Sequence, residues 1–121
     1  MPWEINLLDD VTQWYKELLR HDPATAELVG GALDVLEEHG PALGRPLVDT
    51  VTGSKLPNLK ELRPGSSGNS EIRLLFAFDP GREAAVLVAG DKAGNWKSWY
   101  DENIPIAEAR FAAWIKNKEG T

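Results

Sequence analysis

The sequence contains no cysteine, so disulfide bonds and thiolate metal sites are excluded. It has two histidines, His21 and His39, which fall at the ends of two predicted helices and belong to no set of metal ligands. The HExxH, Walker, GxGxxG and nucleophile-elbow motifs are all missing. We therefore expect neither a metal nor a cofactor.

Long apolar runs are also absent. No run approaches the roughly 20 residues that a membrane-spanning helix needs, and the amino terminus lacks a basic head followed by an apolar core. A chain of 121 residues is expected to form one domain, residues 1–121. These features predict a cytoplasmic protein with no membrane contact.

Positive charge is scarce, and the formal net charge is −6. Residues 1–54 hold ten acids and three bases, whereas residues 55–97 hold seven bases and five acids. An acidic chain as a whole is a poor ligand for polyanions, because phosphates are neutralised by Lys and Arg. Any nucleic-acid site must therefore be local.

The apolar pattern predicts a short strand over residues 3–8 and then two helices. Asp22 and Pro23 separate these helices and are typical of an N-cap and a first helical position. Residues 41–58 are rich in Gly and Pro and are expected to form an irregular connection.

Three strands are expected next, at about 59–63, 71–78 and 84–91, with a tight turn at 79–82 in which glycine takes the permissive position. Asn103 is expected to cap a final helix. This order predicts an α+β fold: a mainly antiparallel sheet that includes the first strand, an N-terminal helical hairpin and a C-terminal helix.

Arg73 is unusual because it lies in an otherwise apolar strand, on the same face as Leu75. A guanidinium is not expected to be buried without a partner, so this face is predicted to be wet or ligand-filled. One register sets Arg63 opposite Glu71 and Glu61 opposite Arg73. Ion pairing alone would then explain both arginines, although a carboxylate can also hold a guanidinium in place for a phosphate.

Further candidate groups follow the last strand. Lys92, Lys97 and Tyr100 could reach one end of the sheet, although loop lysines are most often solvated. Trp96 and Trp99 could stack on bases; core packing is favoured for Trp99, and the pattern leaves Trp96 open. Cations and a phenol without metal ligands are typical of a surface that handles phosphate.

The chain resembles the RelE/HigB toxin superfamily, in particular the phage-derived Gp49-like branch of HigB toxins from type II toxin–antitoxin modules. The resemblance is carried by Leu59-Lys-Glu-Leu-Arg63-Pro, Glu71-Ile-Arg-Leu-Leu-Phe, the strand that ends at Asp91-Lys92, and the segment from Lys97 to Phe111. It implies a RelE-like sheet and a ribosome-dependent mRNA endoribonuclease in which the ribose 2′-hydroxyl attacks without a metal. It also implies an antitoxin, often with a helix-turn-helix domain. The toxin would contact operator DNA only through this antitoxin.

Site roles are likewise implied by the resemblance. Arg73 matches a strand arginine that clamps phosphate, Lys92 matches the cation after the final strand, and Tyr100 would orient RNA or exchange a proton. No histidine is placed as a base, so proton abstraction falls to Lys92, Tyr100 or a carboxylate. RNA binding is expected of the remaining candidates: Lys60, Arg63, Lys97 and Trp96.

Two other functions fit the same scaffold. One is a ParE-like inhibitor of DNA gyrase that leaves RNA intact. The other is a non-catalytic domain that keeps only the surface for binding its antitoxin, which the acidic charge balance favours.

Overall fold

The computed structural model describes residues 2–119. Its elements follow the predicted order, with one additional strand. They are β1 (Glu4–Leu7), α1 (Asp9–His21), α2 (Pro23–His39), a short 3-10 helix (Gly40–Ala42), β2 (Val48–Thr50), β3 (Lys60–Leu62), β4 (Ile72–Phe78), β5 (Glu83–Asp91) and α3 (Trp96–Glu119). Among these residues, no helix has a stretch long and apolar enough to cross a bilayer.

The strands form one sheet in the order β1-β5-β4-β3-β2. β1 is parallel to β5, and the other neighbours are antiparallel. The α+β fold with a mainly antiparallel sheet is therefore confirmed, as is the pairing of the first strand with the later strands.

Helices cover both faces of this sheet. Leu74 and Phe76 of β4 point into a core shared with α1 and α2, whereas Leu75 and Ala77 point into a second core shared with α3. Strand side chains alternate between faces, so Arg73 lies on the α3 face.

The start of α2 follows the prediction. Pro23 is its first residue, and the Asp22 carboxylate accepts a hydrogen bond of 3.2 Å from the Thr25 backbone N–H. This bond satisfies one of the N–H groups that a helix leaves unpaired at its amino end.

The start of α3 differs from the prediction, because the helix begins at Trp96 and Asn103 lies inside it. Asn103 Nδ2 donates to the Trp99 carbonyl instead of capping. Trp99 is 7% exposed and sits so close to Gly90 that a Cβ there would come within 2.8 Å of its indole nitrogen. This packing holds the first turns in place although Pro105 interrupts the hydrogen-bond ladder.

The connection 41–58 also differs, because it contains β2. Three residues among glycines and prolines are too few to show alternation.

The predicted register of β3 and β4 was wrong by two residues, since Glu61 pairs with Leu75 and Leu62 with Leu74. A shift of two leaves every side chain on its own face, so the hydrophobic pattern could not distinguish the two registers.

The turn between β4 and β5 is tight, with a backbone hydrogen bond of 2.8 Å from Asp79 N–H to the Glu83 carbonyl. Its left-handed residue is Arg82, with φ of 64°, and not the glycine that the sequence predicts. The Arg82 guanidinium lies over the Trp3 ring, 4.2 Å from the centroid, which contributes to holding this uncommon conformation.

Candidate active site

Glu61 of β3 is a buried carboxylate, 4% exposed, at the centre of the candidate site. Arg63 donates to its Oε2 from Nε at 3.2 Å and from Nη2 at 2.9 Å. The Tyr100 hydroxyl of α3 donates to its Oε1 at 2.6 Å. One carboxylate therefore holds a guanidinium and a phenol in fixed positions.

Arg73 approaches the same carboxylate from β4. Its Nε lies 3.6 Å from Glu61 Oε1, and this buried N–H has no hydrogen-bond partner among the described residues. Nη1 donates to the Ile72 carbonyl at 2.8 Å. An unsatisfied buried donor is uncommon in a folded protein, and this one faces the Glu61 carboxylate.

Lys92 follows β5 and is buried, with 3% exposure. The Trp96 ring covers its ammonium group, with the centroid 3.6 Å from Nζ. Glu71 Oε1 lies 4.0 Å away, and Glu71 Oε2 accepts a hydrogen bond of 2.7 Å from the Trp96 indole. Burial, followed by the charge of Arg73, lowers the pKa of Lys92, although the carboxylates Glu71 and Glu61 act in the opposite direction.

The pKa of Tyr100 is shifted in the opposite direction to that of Lys92. Burial, followed by the hydrogen bond to the negative Glu61, raises its pKa to about 12. The phenol therefore keeps its proton at neutral pH and acts as a donor. Lys92 Nζ lies 5.7 Å from the centroid of the Tyr100 ring.

Arg63 is engaged by a second carboxylate. Asp49 Oδ2 lies 3.2 Å from Arg63 Nη2. Burial alone would lower the pKa of Arg63, but Glu61 and Asp49 more than offset it, so the pKa is raised. Ion pairing accounts for the position of Arg63 without any ligand.

A cavity of about 420 Å³ opens beside this cluster. Neither Arg73 nor Lys92 lines it. The charged and phenolic residues lining it are Asp49, Glu61, Arg63, Lys97, Tyr100 and Asp101.

The remaining predicted residues lie further out. Lys60 alternates with Glu61 and so points to the opposite face, where Nζ donates to Thr50 Oγ1 at 3.3 Å. Lys97 has a side chain 90% exposed and pairs with Asp101 at 3.0 Å. Trp96 is 59% exposed. The sheet thus separates Lys60 from Arg73, Lys92 and Tyr100, which the structure brings together.

Two carboxylates matter more than the sequence pattern indicates. The sequence pattern indicates Glu61 only as a partner of Arg73, and it gives no signal at Asp49. The available signal was Glu61 itself, since it directly precedes Leu62 in a predicted strand and shares a face with Arg73. Among residues 2–119, no three His, Asp or Glu side chains converge as a metal-ligand set.

Comparison with known proteins gives consistent matches. The family described as phage-derived protein Gp49-like matches residues 16–112. HigB2 of Mycobacterium tuberculosis is 54% identical over 114 residues, which are 94% of this chain and 55% of that protein. HigB3 of the same organism is 52% identical over 114 residues, which are 94% of this chain and 95% of HigB3. The chain thus spans about half of HigB2 and nearly all of HigB3.

Among solved structures, a mutant of Escherichia coli toxin RelE in the free state matches with a TM-score of 0.60. The match covers 84% of this chain and 94% of the RelE chain at 14% identity, which shows a shared fold. With the family match and the two HigB relatives, the chain belongs to the phage-derived Gp49-like family of the RelE/HigB superfamily.

Proposed function

We propose that this chain is the toxin of a type II toxin–antitoxin system, that residues 1–121 act as one toxin domain, and that it is a ribosome-dependent mRNA endoribonuclease. HigB2 and HigB3 carry toxin names, and a toxin of this kind is neutralised by a cognate antitoxin. The observation that carries the chemistry is the convergence of Arg73, Lys92 and Tyr100 around Glu61.

The proposed reaction is attack by the ribose 2′-hydroxyl on the adjacent phosphate. The O2′–P bond forms as the P–O5′ bond breaks, which leaves a 2′,3′-cyclic phosphate and a 5′-hydroxyl. The step requires a base for the 2′-hydroxyl proton, a cation for the phosphate charge and an acid for the leaving oxygen.

The three side chains suit these tasks differently. Lys92 suits the base, because its lowered pKa increases the neutral amine fraction near neutral pH. Tyr100 suits the acid, because a pKa of about 12 keeps its proton available. Arg73 suits the cation, because a guanidinium stays charged and one of its N–H groups lacks an acceptor among the described residues.

Access to Lys92 requires Trp96 to move, since its ring covers the ammonium group. We assign Trp96 the role of a stacking platform for an RNA base, a common use of exposed aromatic rings. Stacking on a base would draw the indole away from Glu71 and uncover Lys92. Arg63 and Lys97 would contact RNA from the cavity, and Lys60, on the other face, is left out of this site.

A non-catalytic antitoxin-binding domain is the second candidate. It is favoured by the burial of Lys92 and by the two carboxylates that already occupy Arg63. Such a domain would bind its antitoxin and leave growth and transcripts unaffected.

Inducible expression with mapping of transcript ends tests the proposal. The parent should stop growth and cut translated transcripts, whereas Arg73→Ala and Lys92→Ala should cut at least about 100-fold more slowly. Arg20→Ala is the matched control, because the Arg20 side chain is 69% exposed on α1. Growth arrest with DNA damage and intact transcripts would select gyrase inhibition, and harmless expression would select the non-catalytic domain.

A further inference from the structure

A second concave surface lies on the helical-hairpin face of the sheet, between α2 and the loop after β3. This open groove has a volume of about 920 Å³ and is called the α2 groove. Its lining is mostly apolar or small and includes Tyr15, Leu28, Val35, Leu47 and Pro64. A cavity of this size is within the range of ligand-binding clefts.

The backbone of α2 is open to a partner at Gly31. A Cβ added there would meet nothing within 4 Å, whereas one at Gly30 would come within 3.0 Å of the Tyr15 hydroxyl. Leu28, one turn earlier, is 42% exposed. An apolar side chain from another molecule can therefore lie directly against the helix.

The opposite wall of the groove is held in place. Ser67 Oγ donates to Asp22 Oδ1 at 3.0 Å, and the Ser67 backbone N–H donates to Thr25 Oγ1 at 3.2 Å. These bonds attach the loop that carries Pro64 to the first turn of α2. The groove is therefore formed before any partner binds, which reduces the ordering cost of association.

The charge at the groove has one sign. Its charged lining residues are Glu27 and Asp34, and no Lys or Arg lines it. α2 carries four acids and no Lys or Arg, and none of these acids has an ion-pair partner among the salt bridges within residues 2–119. Such a surface favours a cationic partner and disfavours an acidic one.

We propose that the α2 groove binds one amphipathic helix of the cognate antitoxin, with apolar side chains against Leu28 and Gly31 and flanking Lys or Arg near Glu27 and Asp34. The inference rests on the proposed function. A DNA-binding antitoxin carries the basic surface that phosphates require, which complements these acids. The groove follows α2 from residue 24 to residue 35, about 16 Å or three helical turns.

The variant Gly31→Arg tests the inference without removing a core contact. The added side chain enters free space and replaces a glycine with a better helix former. It blocks the groove with a positive charge, which repels the cationic partner proposed for it. Ala112→Arg is the matched control, because it places the same side chain on an exposed position of α3. The probe is the purified cognate antitoxin, with affinity measured by calorimetry.

Gly31→Arg should weaken antitoxin binding at least about 30-fold, and Ala112→Arg should bind like the parent. Both variants should remain as toxic as the parent when expressed without antitoxin. Unchanged affinity of Gly31→Arg would overturn the inference, as would a dimer of the toxin alone that Gly31→Arg dissociates. A parent that cuts no transcripts, but binds antitoxin in a manner that Gly31→Arg abolishes, supports this inference and contradicts the ribonuclease assignment.

A charge-reversal series provides a second measurement. Glu27→Lys combined with Asp34→Lys should lower affinity and flatten its dependence on salt concentration. Glu38→Lys, on the same helix but outside the groove, is the control. Equal losses from both variants would contradict a role for the groove acids.

Discussion

The Tyr100 hydroxyl and Glu61 Oε1 are joined by a hydrogen bond of 2.6 Å. It links α3 to β3 across the α3 face of the sheet. Because Arg63 occupies the other oxygen of the same carboxylate, Glu61 orients two of the groups that face the cavity. The same bond contributes to keeping the phenol protonated.

A double-mutant cycle should detect the coupling between these two residues. Tyr100→Phe and Glu61→Ala are expected to show an interaction of about 1–3 kcal/mol in the free energy of unfolding, since the bond is charge-assisted and partly buried. Denaturant titration measures it. Tyr15→Phe with Glu61→Ala is the control and should be additive, because Tyr15 packs on the other face. Additivity of the first pair would show that the bond contributes nothing.

Alkaline titration should reveal the Tyr100 phenol. Its folded pKa of about 12 is above its ordinary value of 10.0, so its contribution to stability is present below pH 10 and is lost as pH rises towards 12. Phenolate absorbance of the parent should show this late transition, and Tyr100→Phe should not. Glu61→Ala should move the transition to lower pH. A parent without it would contradict the environment described for Tyr100.

Removing Trp96 should change the titration of Lys92. Trp96→Ala exposes the ammonium group, so its lowered pKa should rise towards the ordinary 10.5. If Lys92 is the base, the midpoint of the rise in kcat/KM with pH, which reports the protein before RNA displaces Trp96, should shift to higher pH. Trp96→Phe, which keeps an aromatic cover but loses the bond to Glu71, is the control and should shift less.

Burial of the Lys92 charge should also affect stability. Because the folded pKa is below the unfolded one, the unfolded chain binds more protons between the two values. The free energy of unfolding should therefore rise with pH across that window and should do so less steeply in Lys92→Met. Identical slopes in the two proteins would show that Lys92 is solvated.

Asp79 should stabilise the end of α3. Its Oδ2 accepts from the Trp114 indole at 2.8 Å and from Lys118 Nζ at 2.7 Å. Asp79→Ala removes the acceptor of the partly buried Trp114 indole N–H and leaves Lys118 with Glu83, and it should reduce the free energy of unfolding by about 2 kcal/mol. Chemical denaturation checks this, with the exposed Asp34→Ala as a control expected to change it by less than about 0.5 kcal/mol.

The effect of Asp79 should disappear in acid. Burial raises the pKa of Asp79, but the hydrogen bonds from Lys118, Trp114 and two backbone N–H groups outweigh it, so the pKa is lowered from 3.8. Its contribution is then present above pH 3.8 and is lost as pH falls through the folded pKa. Below the folded pKa of Asp79, the parent and Asp79→Ala should have the same free energy of unfolding.

Local patterns in the sequence predicted much of the fold. Asp22 and Pro23 marked the start of α2, and the alternation in β4 placed Arg73 on the face opposite Leu74. Local patterns did not determine the features that depend on tertiary contacts. The register of β3 depends on which of two equivalent pairings the loop permits, and the start of α3 depends on Trp99 packing against Gly90.

The sequence predicted the cations and the phenol of the candidate site better than its carboxylates. Arg73, Lys92 and Tyr100 were recognised as candidates from residue type and position, and the structure brings them together. The central place of Glu61 follows from its hydrogen bonds with Arg63 and with Tyr100 of α3, which no pattern in the sequence specified. The burial of Lys92 follows from the position of Trp96, which the sequence left open.

The most direct test is cleavage of a defined mRNA by the purified chain, with and without translating ribosomes, while transcript ends are mapped. We expect cuts only during translation, with 2′,3′-cyclic phosphate ends, and at least about 100-fold slower cutting by Arg73→Ala. Intact transcripts, or an Arg73→Ala protein that cuts as fast as the parent, would contradict it.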